Sequence, residues 1–192
     1  SGEYYGEFGN YDVKLTVPED FVVGASGSLI STKINNGLAT HRFKVEDVID
    51  FTWTCSPHYV KIDQNWKDVN MQLYTYPGHE HFADRYFTVT SQAFEYMDEH
   101  VGKYPYSTLS IIDPPIHGLF TGGMEYPTLI SSISSCFAPA GVKMPHTLVV
   151  HEFVNQCFMQ MVSTHEQEEP WMDEGITTYY EGRILDKYYG DK

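Results

Sequence analysis

His151-Glu152-Phe153-Val154-Asn155 is the stretch on which the reading of this 192-residue chain turns. Its companion is Glu174, twenty-three residues after His151, within Trp171-Met172-Asp173-Glu174-Gly175. Residues four apart on an α-helix lie about 40° from each other around the axis, so positions 151 and 155 point the same way. Pro145 suits the first turn of such a helix, expected over about 145–162. A further helix, expected from near Trp171 or Met172 to about Tyr188, carries Glu174.

This spacing is that of a metal-binding helix. In His-Glu-x-x-His the two imidazoles reach one ion, and the intervening glutamate stands beside it to take a proton from water. A glutamate from the next helix completes the donor set. His151, Glu152 and Glu174 fit these roles, and Asn155 occupies the second histidine's position with a different donor. An amide oxygen is a neutral, hard and weak ligand for zinc, which prefers imidazole or thiolate. Cys157 lies about 240° round the helix from His151 and faces elsewhere. His146 and His165 flank the helix and read as surface histidines.

Upstream, Gly118 to Gly123 reads as a flexible loop and Met124 to Ile130 as a strand. Leu109 to Ile112 is a short apolar strand stopped by Pro114-Pro115. Between His79 and His100, Phe82, Tyr86, Val89, Ala93, Tyr96 and Met97 recur at three- and four-residue steps, the signature of an amphipathic helix ended by Gly102. Val69 to Tyr76 reads as a strand. In the first third, Tyr11, Val13, Leu15 and Val17 alternate with polar residues, as in a half-buried strand. Asn35-Asn36-Gly37 signals a tight hairpin. Arg42 to Val45 and Ile49 to Thr54 resume strand character. Strands first, then helices mixed with strands, give an α+β class: a β-rich N-terminal segment followed by an α/β segment.

Three matches, in order, resemble the aminopeptidase N-type family of gluzincins. Eighteen residues separate position 155 from Glu174, the family's interval. Glu169-Pro170-Trp171-Met172-Asp173-Glu174-Gly175-Ile176-Thr177-Thr178-Tyr179 is similar to the segment around its third ligand. Gly122-Gly123-Met124-Glu125-Tyr126-Pro127 is similar to its Gly-x-Met-Glu-Asn exopeptidase motif, with Tyr for Asn. The resemblance implies that residues 1–55 are the end of an N-terminal β-domain. It implies that residues 56–192 are the first half of a thermolysin-like metallopeptidase domain. It further implies zinc held by His151 and Glu174, with Asn155 a degenerate ligand position, and Glu152 as the proton-transferring residue. Glu125 would bind a substrate's free α-ammonium, with the backbone of Gly122, Gly123 and Met124 along the peptide. The expected function is removal of N-terminal residues from peptides. The alternative, motivated by Asn155, is an impaired enzyme that holds peptide amino termini without cutting them. The family's oxyanion-stabilising tyrosine belongs to a later segment, so Tyr179, Tyr180, Tyr188 and Tyr189 do not take that role.

Composition bounds the partners. Twelve Lys+Arg against 26 Asp+Glu give a net charge of −14, which repels phosphate backbones and argues against nucleic acid. The same acidity favours a cationic ligand. Hydrophobic residues at 42% allow a packed core. Cys55, Cys136 and Cys157 form no disulfide framework. No apolar run has the length of a membrane span. The opening Ser1-Gly2, running straight into Glu3-Tyr4-Tyr5 with no leader, leads us to expect a piece of a longer protein whose localisation the sequence leaves open.

Overall fold

The computed structural model describes residues 5–115, 123–132 and 144–190, and combines helices and strands. Strand β1 (Gly9–Pro18) alternates as its sequence does, with Tyr11, Val13, Leu15 and Val17 turned inward. It pairs antiparallel with β4 (Leu38–Val48), which pairs in turn with β3 (Ser28–Asn35). The β3–β4 hairpin closes through Asn36 and Gly37 at φ 51° and 75°. Both lie in the left-handed region that a two-residue turn of this kind requires. β2 (Val22–Ala25) and β5 (Trp53–Ser56) form a separate antiparallel pair. Val17, Val23, Ala25 and Phe43 make a small core here.

The second core is larger. A five-stranded sheet runs in the order β6 (Val60–Trp66), β7 (Val69–Thr75), β8 (Thr108–Ile112), β10 (Leu129–Ser131), β9 (Met124–Tyr126). β7, β8 and β10 are parallel, and the outer pairings, β6 with β7 and β9 with β10, are antiparallel. Parallel neighbours need a crossover. α1 (Ala83–His100) provides it between β7 and β8, entered by a 3-10 turn at Glu80–Phe82. Its periodic residues Tyr86, Val89, Ala93, Tyr96 and Met97 are all buried. α2 (Met144–Asn155) and α3 (Glu174–Tyr189) pack with α1 over Met71, Leu73, Leu109, Ile111 and Ile130 of the sheet. Phe153 of α2 inserts against Phe94 of α1, with ring centroids 4.4 Å apart.

Several boundaries differ from the sequence reading. Residues 124–130 are not one strand but the two arms of the β9–β10 hairpin, turning at Pro127 and Thr128. Regular α-helix in α2 stops at Asn155, and one turn of π-helix follows at Gln156–Gln160. Regular helix in α3 starts at Glu174, after a separate 3-10 turn at Pro170–Met172. Only Trp53 and Thr54 of the expected 49–54 strand lie in β5. β6 is a strand that the sequence reading did not assign. Among the described residues no helix is long and apolar enough to cross a membrane.

Candidate functional site

The site lies where α2 passes the edge strand β9 and the start of α3. His151, near the middle of α2, directs Nε2 to within 3.0 Å of Glu174 Oε2. Its Nδ1 meets Glu181 Oε2 at 2.8 Å. Glu181 follows Glu174 by seven residues, close to two helical turns, so both carboxylates lie on one side of α3. The hydrogen bond to Glu174, then that to Glu181, raises the imidazole pKa to about 10 despite partial burial. A proton thus stands between the two carboxylates as their counter-charge. The same His151 contact lowers the pKa of the half-exposed Glu174.

Glu152 points to the other side, toward β9. It is 4% exposed, and Glu125 is 5% exposed. Burial is the main reason its pKa rises to about 8, and the neighbouring Glu125, which hydrogen-bonds to it, adds to the rise. A carboxyl poised near neutrality can give and take protons in this range. Gly123 stands directly over it: a Cβ there would fall 1.8 Å from Glu152 Oε1 and 2.4 Å from Cδ. Only glycine leaves room for that carboxylate. Met124 is half-buried on β9 beside Glu125. Gly122, the other glycine named from the sequence, lies outside the described residues.

Three features were not foreseen. Glu125, Glu166 and Asp173, all buried, present carboxylate oxygens within 4.8 Å of one another. Their convergence needs the fold; no spacing rule joins 125, 166 and 173. Glu181 and Gln156, by contrast, obey helical spacing from Glu174 and Glu152 and were open to detection. The flanking histidines face elsewhere: His146 meets Arg85 and lies tilted against the Tyr189 ring, and His165 stacks on Tyr5. Cys157 is buried, which pushes its thiol pKa up to about 12. Cys55 and Cys157 are free thiols, and Cys136 lies outside the described residues.

Two donors for a metal, the His151 imidazole and the Glu174 carboxylate, converge on one point. Asn155 is 1% exposed, and neither its amide oxygen nor its amide nitrogen has a hydrogen-bond partner among the described residues. An orphaned amide one helical turn beyond His151 can serve as a third, weak donor. As a donor set, one imidazole, one carboxylate and one amide oxygen would hold a divalent ion less tightly than a set with two imidazoles.

Over 131 residues, 64% of this chain, the sequence is 26% identical to Aminopeptidase 2 of Candida albicans. Over 119 residues, 58% of the chain, it is 28% identical to glutamyl aminopeptidase of Homo sapiens. These are distant similarities to proteins named aminopeptidases. Glutamyl aminopeptidase of Bos taurus is 24% identical over 123 residues, 60% of the chain. These matches span only 12 to 14% of the relatives' own length. No family model matches the chain.

Proposed function

We propose that the chain carries the substrate amino-terminus site and one side of the metal site of a zinc aminopeptidase of the gluzincin type. The observation that carries this reading is the placement of Glu125 and Glu152, buried together on facing elements, beside the His151–Glu174 pair. A buried carboxylate on an edge strand can pair with a peptide's α-ammonium and fix how far the chain enters. Glu152, one residue from His151, can accept a proton from water and pass it to the departing amine. Gly123 lets backbone approach that carboxylate closely. His151 and Glu174 would hold zinc, with the Asn155 amide as third donor. Zinc, when bound, supplies Lewis acidity toward the scissile carbonyl. The thermolysin-like architecture and the division into residues 1–55 and 56–192 belong to the same proposal.

Asn155 favours a second reading, in which this chain holds peptide amino termini and cuts them poorly or not at all. The two are separated by incubating the chain with zinc and an aminoacyl-arylamide while measuring binding of a short peptide. Binding that requires a free amino group and Glu125, with hydrolysis absent or slight, is expected. Failure to distinguish the peptide from its N-acetylated form would remove the amino-terminus assignment. Strong metal-dependent hydrolysis by the native chain would remove the second reading.

A further inference from the structure

We infer that Gln156 is a positioning residue, whose carboxamide fixes the strand bearing Glu125 against the helix bearing Glu152. Gln156 is four positions on from Glu152, so the two share a helix face about 40° wide, and that face looks at β9. Glu152 meets the side chain of Glu125, while Gln156 meets its backbone. The Gln156 Nε2 group donates to the Glu125 carbonyl at 3.2 Å and to the Tyr126 carbonyl at 2.9 Å. Its Oε1 accepts the Thr128 N–H at 2.8 Å. One fully buried side chain therefore holds three backbone groups across the β9–β10 turn.

The turn needs holding. Thr128 has φ 57°, a left-handed conformation that a β-branched residue seldom adopts. Besides the bond to Gln156, its carbonyl accepts from Ser110 N–H at 2.8 Å, and its Oγ1 accepts from Gly27 N–H at 2.6 Å. β9 itself is three residues long and pairs only with β10, so its other edge has no strand partner among the described residues. The ladder holds Glu125 through one strand neighbour, and Gln156 adds the bonds from the helix bearing Glu152 to the backbone of this strand. The π turn begins at Gln156, immediately after the regular helix stops at Asn155. A local change of helical winding of this kind often accompanies functional positions.

The functional part of this inference rests on the proposed amino-terminus site; the positional part does not. The test compares native protein with Gln156→Met, which keeps length and loses all three bonds. Gln156→Glu, which keeps the acceptor for Thr128 and loses the Nε2 donor, is the second variant. Crystal structures report where the Glu125 carboxylate lies relative to Glu152. Calorimetric titration with trialanine and with N-acetyl-trialanine reports preference for a free amino group. The expected result is a Glu125 displacement beyond about 0.5 Å, the tolerance of a functional constellation. With it should come at least a ~10-fold loss of amine preference, because a misplacement of about 1 Å can cost roughly 100-fold.

Glu125 unmoved in the folded variants overturns the inference, whatever the binding data. Displacement with amine preference retained also overturns it. Displacement in a protein whose native form shows no amine preference supports the positional role and rejects the amino-terminus assignment instead. Failure of both variants to fold makes Gln156 a general structural residue and overturns the inference.

Discussion

Exchanging Glu152 for glutamine should stabilise the protein at alkaline pH and leave it nearly unchanged in mild acid. Burial and Glu125 raise the Glu152 carboxyl from an ordinary 4.5 to about 8. The folded state therefore binds this proton more tightly than the unfolded state. Stability from this group is intact below pH 4.5 and is lost progressively as the pH climbs to about 8, where the carboxyl must ionise inside the fold. At about 1.4 kcal/mol per pH unit, the gap between 4.5 and about 8 sets a ceiling of about 5 kcal/mol. A domain's whole stability is about 5–15 kcal/mol, so even half of that ceiling is readily measured. Glutamine keeps the shape and a hydrogen-bond donor for Glu125 while removing the charge. Urea unfolding in the presence of a chelator should show Glu152→Gln more stable than native by about 2–4 kcal/mol at pH 9, with little difference at pH 5. An equal effect at both values, or a loss at pH 9, would refute the claim that a buried, carboxylate-coupled group sits at this position.

Other perturbations have definite signs. Glu181→Gln removes one of the two carboxylates that hold the His151 proton, so the imidazole pKa should fall from about 10, as read by nuclear magnetic resonance titration; an unmoved value contradicts the paired arrangement. The native protein should also lose the stability that His151 contributes as pH rises from 6.5 through about 10, the same direction as Glu152. Asn155→Leu removes two buried amide atoms that bond to none of the described residues and should raise stability by about 1–3 kcal/mol in denaturant titration; destabilisation would mean that the amide has a role the fold needs. Gly123→Ala forces a Cβ onto the Glu152 carboxylate and should cost about 1–3 kcal/mol together with the preference for free-amine peptides; a neutral result would show that the loop yields easily.

Much of the fold is legible where pattern and chemistry agree. β1 alternates because one face is buried, and the Asn36-Gly37 turn is read correctly because both residues tolerate left-handed backbone. α1 carries a wide apolar stripe that no strand pattern matches. The errors have physical causes. β6 is an edge strand, so Lys61, Asp63, Gln64 and Asn65 leave it with little apolar signal. Apolar residues at Phe158 and Met161 continue the α2 pattern past the point where the winding changes. Pro127 marks the break in 124–130, but Thr128 is a residue type rarely found in the conformation the turn imposes. In the site, His151, Glu152, Asn155 and Glu174 can be named because helix geometry relates positions four apart and the family spacing relates the rest. The meeting of Glu125, Glu166 and Asp173 depends on how the β9 hairpin, the 156–172 segment and α3 come together, which no local pattern encodes.

The central claim is that α2 and α3 aim His151 and Glu174 at one point, with position 155 completing a metal site. Calorimetric zinc titration of the native chain beside Asn155→His tests it most directly. One zinc per chain in Asn155→His, bound at least about 10- to 100-fold more tightly than in the native protein, is the result the account predicts. Zinc uptake unchanged by the substitution, or absent from Asn155→His altogether, would contradict it.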